Sequence, residues 1–261
     1  MIERSPLIAT ALGLPHFPGT ASDTARGTTN GHIMGVVVLA WLTQYPVRRW
    51  GREWAERGTM RLRYREHLSA GTALTVVVSD GAELGFEILD GEGKVCADGR
   101  AGLAGPANDG GYRLLDPPAT PFAAPARPFP GPLQNLVLRP FDFDFDADRD
   151  LAFVDELADG EWWRSHGWAH PAWVASGVNA MLGQSIAFDD GGYWRHAGSE
   201  LRHLRPVPSG ARVQLQGMVD ELFQGRHHRF GVARITAFAD DVPVADLGVT
   251  FVYGAALPTP A

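Results

Sequence analysis

The feature that most constrains this chain is a repeat. His32 opens the apolar run HIMGVVVLAWLTQYP, and His170 opens HPAWVASGVNAMLGQ 138 residues later. REHLSAGTALTVVV around Gly71 then recurs as LRPVPSGARVQLQG around Gly210, an offset of 139. KVCADGRAGLAG finally returns as PVADLGVTFVYG, with Val95 and Val244 149 apart. The extra ten residues fall in DELFQGRHHRFG, which implies a longer hairpin in the second copy. Three landmarks in one order indicate a duplicated unit of a helix followed by strands.

Each copy reads the same way. The runs from His32 and His170 are apolar on every side, the pattern of a helix enclosed by protein. Pro46 is expected to end the first helix, and Pro171 suits the first position of the second, with His170 just outside it. Strand patterns follow over 59–68, 72–79, 83–90 and 93–103, and over 198–207, 211–222, 226–239 and 242–253. Asp-Gly and Asp-Asp pairs at 80, 90 and 240 mark the turns. FDFDFDAD alternates Phe with Asp, which reads as a strand with Phe inward and Asp toward water rather than as a metal site. PPATPFAAPARPFPGP suits neither helix nor central strand and reads as an extended linker. The expected division is a first unit over 1–105, a linker over 106–132 and a second unit over 133–261.

Composition removes several function classes. A net charge of −7 and a pI near 5.7 argue against a nucleic-acid surface. Arg202, Arg205, Arg226 and Arg229 read first as exposed strand residues and second as partners of a phosphate-bearing ligand. Cys96 is the single cysteine, so no disulfide or cysteine metal site forms within the chain, and the cytoplasm is the expected compartment. Glu3 and Pro6 spoil a signal peptide, and no run reaches the ~20 apolar residues of a membrane span.

A long buried helix wrapped by a curved antiparallel sheet, twice over, resembles the α+β double hotdog fold. WAHPAWVASGVNAML, the long SELRHLRP…DDVPVA stretch, and GHIMGVVVLAWL followed by REHLSAGTALTV are similar to the MaoC-like dehydratase and hydratase group. The resemblance implies hydration of enoyl thioesters or dehydration of 3-hydroxyacyl thioesters, carried on coenzyme A or an acyl carrier protein. It also implies a histidine and a carboxylate sharing the proton work, a carbonyl polarised at a helix N-terminus, a homodimer, and no metal or other cofactor.

The motifs match in part. Against an Asp-x-Asn-Pro-x-His signature, ALGLPHF keeps Pro15 and His16 but has Ala11 and Leu14 in place of the acid and amide. In the second half Asp159 and His166 lie seven apart rather than five. Against the His-Pro-x-x-x-Asp-x-x-x-Gln pattern of polyketide dehydratases, His170 and Pro171 match, Ala175 replaces the acid and Asn179 replaces the amide. In the first half Gly35 follows His32 one residue early for His-x-x-x-Gly. No Asp or Glu occurs in 32–45 or 170–184, which disfavours carboxylate-driven thioester hydrolysis.

His170 and His32 are therefore the histidine candidates, each balanced against service as a helix cap. Asp159 is the remaining carboxylate, and Asn179 either orients a ligand or contacts the facing half. The expected substrate contacts are Trp173, Pro171, Trp168 and Gly35, with aromatic side chains clustered at the second helix entrance. The leading expectation is a hydratase or dehydratase of acyl thioesters. The alternatives are a non-catalytic binder of an acyl thioester or hydrophobic metabolite, and a hotdog enzyme turned to isomerisation or cyclisation.

Overall fold

The computed structural model describes residues 2–12, 28–29, 32–105, 127–128, 133–187 and 195–255; His16 and most of the proline-rich 106–132 segment lie outside them. Ten antiparallel strands form one sheet. The first five, from the edge, are Ile2–Ile8, Ala73–Asp80, Leu84–Leu89, Val95–Leu103 and Gly58–Tyr64. Arg195–His203, Val242–Ala255, His228–Ala239, Arg212–Gln224 and Phe141–Asp144 continue it to the far edge. The second five repeat the order of the first in reverse.

The joint between the halves defines their symmetry. Gly58–Tyr64 pairs antiparallel with Arg195–His203, and Arg61 stands opposite Glu200. The repeat offset of 139 also carries Arg61 onto Glu200, and it carries Tyr64 onto His203. Equivalent strands that lie side by side and antiparallel are related by a twofold axis perpendicular to the sheet. Helices packed on one face and related by that axis must run antiparallel to each other. Gly71 and Gly210, which are equivalent, both hold a φ of +86°, a left-handed conformation that glycine enters without a Cβ penalty.

The helices are Gly35–Leu42 and Pro171–Ser185. All eight residues of the first are buried, as are twelve of the fifteen in the second, because each is wrapped by sheet and faces its twin. Pro46 does not end the first helical region. The helix divides at Thr43, which stays right-handed, and Pro46 lies in the first turn of Gln44–Trp50, where an N–H is not required. A further helix, Arg52–Arg57, follows Gly51 at φ +52°.

The remaining elements follow their sequence patterns. Phe141 and Phe145 are buried while Asp142 and Asp144 are exposed, and the rings of Phe143 and Phe145 each lie 4.7 Å from Trp173. Asp240 and Asp241 take positive φ in the two-residue turn before Val242. The longer second hairpin, Arg212–Gln224 with His228–Ala239, absorbs the ten-residue excess.

Candidate functional site

The twofold creates two helix entrances, and the chain has made them unlike. The second-half entrance is filled. His170 is fully buried; its Nδ1 accepts from the Ala172 N–H at 3.0 Å and caps the helix. Its proton must then sit on Nε2, which donates to Thr43 Oγ1 at 3.0 Å, and Thr43 donates onward to the Ala40 carbonyl at 2.8 Å. Both imidazole nitrogens are thus committed, Nδ1 to its own helix start and Nε2 to a bond between the two halves. Trp163 and Phe153 set their rings edge-on at 5.0 and 5.5 Å. Burial, with a smaller effect of neighbouring His203, holds His170 neutral with a pKa of about 3.

Asp159 lies beside this network. The Trp163 indole donates to Asp159 Oδ2 at 2.8 Å, while Oδ1 has no partner among the described residues. Burial raises its pKa, opposed by Trp163 and Thr43. No hydrogen bond joins it to His170 or His32 among the described residues. His203 is buried edge-on to Trp54 at 4.8 Å, and burial lowers its pKa to about 3. The cavity at this entrance, between Trp163, Pro171, Val174 and His203, holds about 20 Å³, space for one water. Pro171 and Trp173 are buried, Trp173 against Phe143 and Phe145. Trp168 is part-buried, grouped with Trp162 and the exposed His166.

The first-half entrance has polar side chains instead. Gly35 is the first residue of its helix, and no side chain caps that end. The N–H groups of its opening turn therefore lack the cap that His170 supplies to the other helix. The Tyr64 ring lies on Gly35 so closely that a Cβ there would stand 2.5 Å from Tyr64 Cε2. Tyr64 Oη is 2.8 Å from Ser199 Oγ, and Ser199 Oγ is 3.1 Å from His196 Nε2. A bulge at Ala197 makes this chain possible. Residues three apart on a regular strand point to opposite faces, and one bulged residue returns His196 and Ser199 to the same face. Burial raises the Tyr64 pKa, so its phenol keeps its proton; burial lowers that of His196 to about 4, so its imidazole is neutral.

Basic groups surround this entrance. His32 packs on His67 with ring centroids 4.5 Å apart, and Arg195 Nη1 approaches His67 Nε2 at 3.5 Å. Arg195 also lies near enough to His228 to depress its pKa, after the effect of burial. Both amide atoms of Asn179 are buried without a partner among the described residues. Thr43, at the end of the first helix, meets His170, at the start of the second. The antiparallel pairing therefore sets Asn179, nine residues along, at the level of the first helix's start. Of the expected site residues, His32, Gly35 and Asn179 fall at this entrance, and His170, Asp159, Pro171 and Trp173 at the filled one.

Sequence reading alone missed Tyr64, His196 and Ser199. Only Tyr64 had a signal in the repeat, as the twofold mate of His203. The bulge that aims His196 has no sequence signature of its own.

Neither a family model nor a curated relative matches the sequence. Solved structures do resemble the fold. A conserved hypothetical protein from Mycobacterium tuberculosis with a double hotdog fold is 14% identical, with a TM-score of 0.57, over 87% of this chain and 83% of its own. A MaoC-like dehydratase is also 14% identical, with a TM-score of 0.51, over 84% and 82%. A 12:0-ACP thioesterase from Umbellularia californica is 6% identical, with a TM-score of 0.54, over 96% of each chain. Likeness at this identity bears on architecture, and there it agrees with the ten-stranded sheet and its twofold: the chain has the double hotdog fold.

Proposed function

We propose that this protein is an acyl-thioester hydratase or dehydratase with one active site, at the entrance of the first-half helix. The observation that carries the reading is the hydrogen-bonded chain Tyr64–Ser199–His196 beside an uncapped helix start. Tyr64, which retains its proton, donates to Ser199, and Ser199 donates to His196 Nε2. The neutral imidazole then takes a proton from the carbon beside the thioester carbonyl through Ser199, and the phenol serves as the acid for the departing hydroxyl. The Gly35 and Val36 N–H groups polarise the carbonyl, helped by the positive end of the helix. Asn179 orients the acyl portion, and Arg195 supplies a cation, with the His32, His67 and His228 rings beside it, for the phosphates of coenzyme A or a carrier's prosthetic arm.

The likeness to a 12:0-ACP thioesterase favours a second reading. Ser199 beside His196 is also a nucleophile–base pair, which would hydrolyse the thioester. Proton transfer is preferred because Tyr64 already donates to Ser199, which places an acid beside the base rather than a lone nucleophile. The two reactions separate in one assay on enoyl and 3-hydroxyacyl thioesters of coenzyme A and of an acyl carrier protein. Enoyl absorbance should fall without thiol release, and the activity should be lost in His196→Gln and Ser199→Ala but kept in folded His170→Gln. Thiol release in step with substrate loss would establish hydrolysis instead. Absence of both reactions on every thioester would overturn the catalytic reading.

A further inference from the structure

The outer face of the sheet, away from the helices, carries a groove of about 700 Å³ across the joint between the halves. Its composition follows from strand alternation. Leu215 and Val219 face the core, so Met218 faces outward; Ala237 and Ala239 face the core, so Phe238 faces outward as well. Phe238 is nevertheless only 3% exposed, and it packs outside the main core cluster. Gly217 and Gly248 lie in the groove, where a Cβ on Gly248 would meet Arg234 and Glu200. The outer face therefore has an apolar floor where a solvated sheet surface would be polar.

Four guanidinium groups line the same groove, and three are in ion pairs. Glu200 takes both Arg61 and Arg234, and Glu83 takes Arg100 at 3.4 Å. Arg202 has no ion pair among the described residues. Its Nε is buried and lacks any acceptor. The register sets it between Thr59 and Asp246, and no bond joins Arg202 to the Asp246 carboxylate among the described residues. A buried guanidinium N–H without an acceptor is costly in a folded protein, and an anionic oxygen is the group that relieves it.

We infer that this groove binds a small amphiphilic anion, with a carboxylate or phosphate head on Arg202 and an apolar body on Met218 and Phe238. Neither the head nor the body would hold alone. The site is independent of the catalytic reading, since it lies on the opposite face of the sheet from the helices. It makes the outer face a binding surface in its own right.

The test is calorimetric titration of the full chain with four probes: decanoate, decyl phosphate, decanol and inorganic phosphate. Decanoate or decyl phosphate should bind with at least tenfold higher affinity than decanol or inorganic phosphate, and the stronger of the two identifies the head group. Arg202→Gln should weaken that binding roughly ten- to a hundredfold, the loss expected for one charge-assisted bond, and Phe238→Ala should weaken it too. His196→Gln should leave it unchanged, which separates this site from an acyl-binding catalytic entrance. Equal binding of decanol, or wild-type affinity in Arg202→Gln, overturns the inference. So does self-association through this face, disrupted by Arg202→Gln, with no probe bound.

Discussion

Of the three histidines that burial holds neutral, His170 and His203 have the lowest pKa values and should make this fold sensitive to mild acid. His170 and His203 are 0% and 7% exposed, and burial holds each near a pKa of 3, with His203 adding to the effect at His170. In the unfolded chain both return to about 6.5. Between the folded and unfolded values the unfolded state binds more protons, so stability falls as pH drops below about 6.5 and is level above pH 7. At pH 5 each unfolded imidazole has gained its proton over roughly 1.5 pH units, which costs the fold about 2 kcal/mol per histidine relative to pH 7. Together they remove about 4 kcal/mol from a total that is roughly 5–15 kcal/mol for a protein domain. Asp159, whose pKa is raised by burial, acts in the opposite sense as pH falls further and offsets part of the loss. His203→Phe isolates one contribution, because the ring still meets Trp54 edge-on while the titrating nitrogens are gone. Urea unfolding at pH 7 and pH 5 should show the wild type losing about 2 kcal/mol more than the variant over that interval. A pH-dependent loss equal in the two proteins, with equal denaturant slopes, would refute the assignment of His203 as a neutral buried group.

Two further outcomes follow from single contacts. Thr43→Val removes the hydroxyl between His170 Nε2 and the Ala40 carbonyl, leaving a buried N–H without an acceptor; unfolding free energy should fall by about 1–3 kcal/mol, with Thr43→Ser near wild type, and an unchanged urea midpoint in Thr43→Val would show that the bond is not made. Gly35→Ala forces the Tyr64 ring away from the helix start, because the new Cβ would stand 2.5 Å from Tyr64 Cε2; thioester turnover should drop at least tenfold while the circular dichroism spectrum is kept, and full turnover would show that the ring position is irrelevant to the chemistry.

The duplication was fully legible in the sequence, because periodic apolar patterns and turn residues are local and repeat with the chain. The strand register then placed the twofold, since the offset of 139 maps Arg61 onto the Glu200 that stands opposite it. The alternation in FDFDFDAD gave the faces of its strand, because side chains on a regular strand must alternate. The pair of helix entrances was legible as well, with His32, Gly35, His170 and Pro171 marking them. What the local pattern left open was how the two entrances differ. His170 reads alike as a cap or a base from its neighbours in sequence; its second nitrogen is decided by Thr43, 127 residues away, and its solvent exposure by Trp163 and Phe153. Tyr64 and His196 come together only where two distant strands pair and one of them bulges. Sequence determined the repeating fold because it follows from short-range periodicity; tertiary structure alone decided how the two helix entrances differ, because long-range packing sets which polar groups are satisfied.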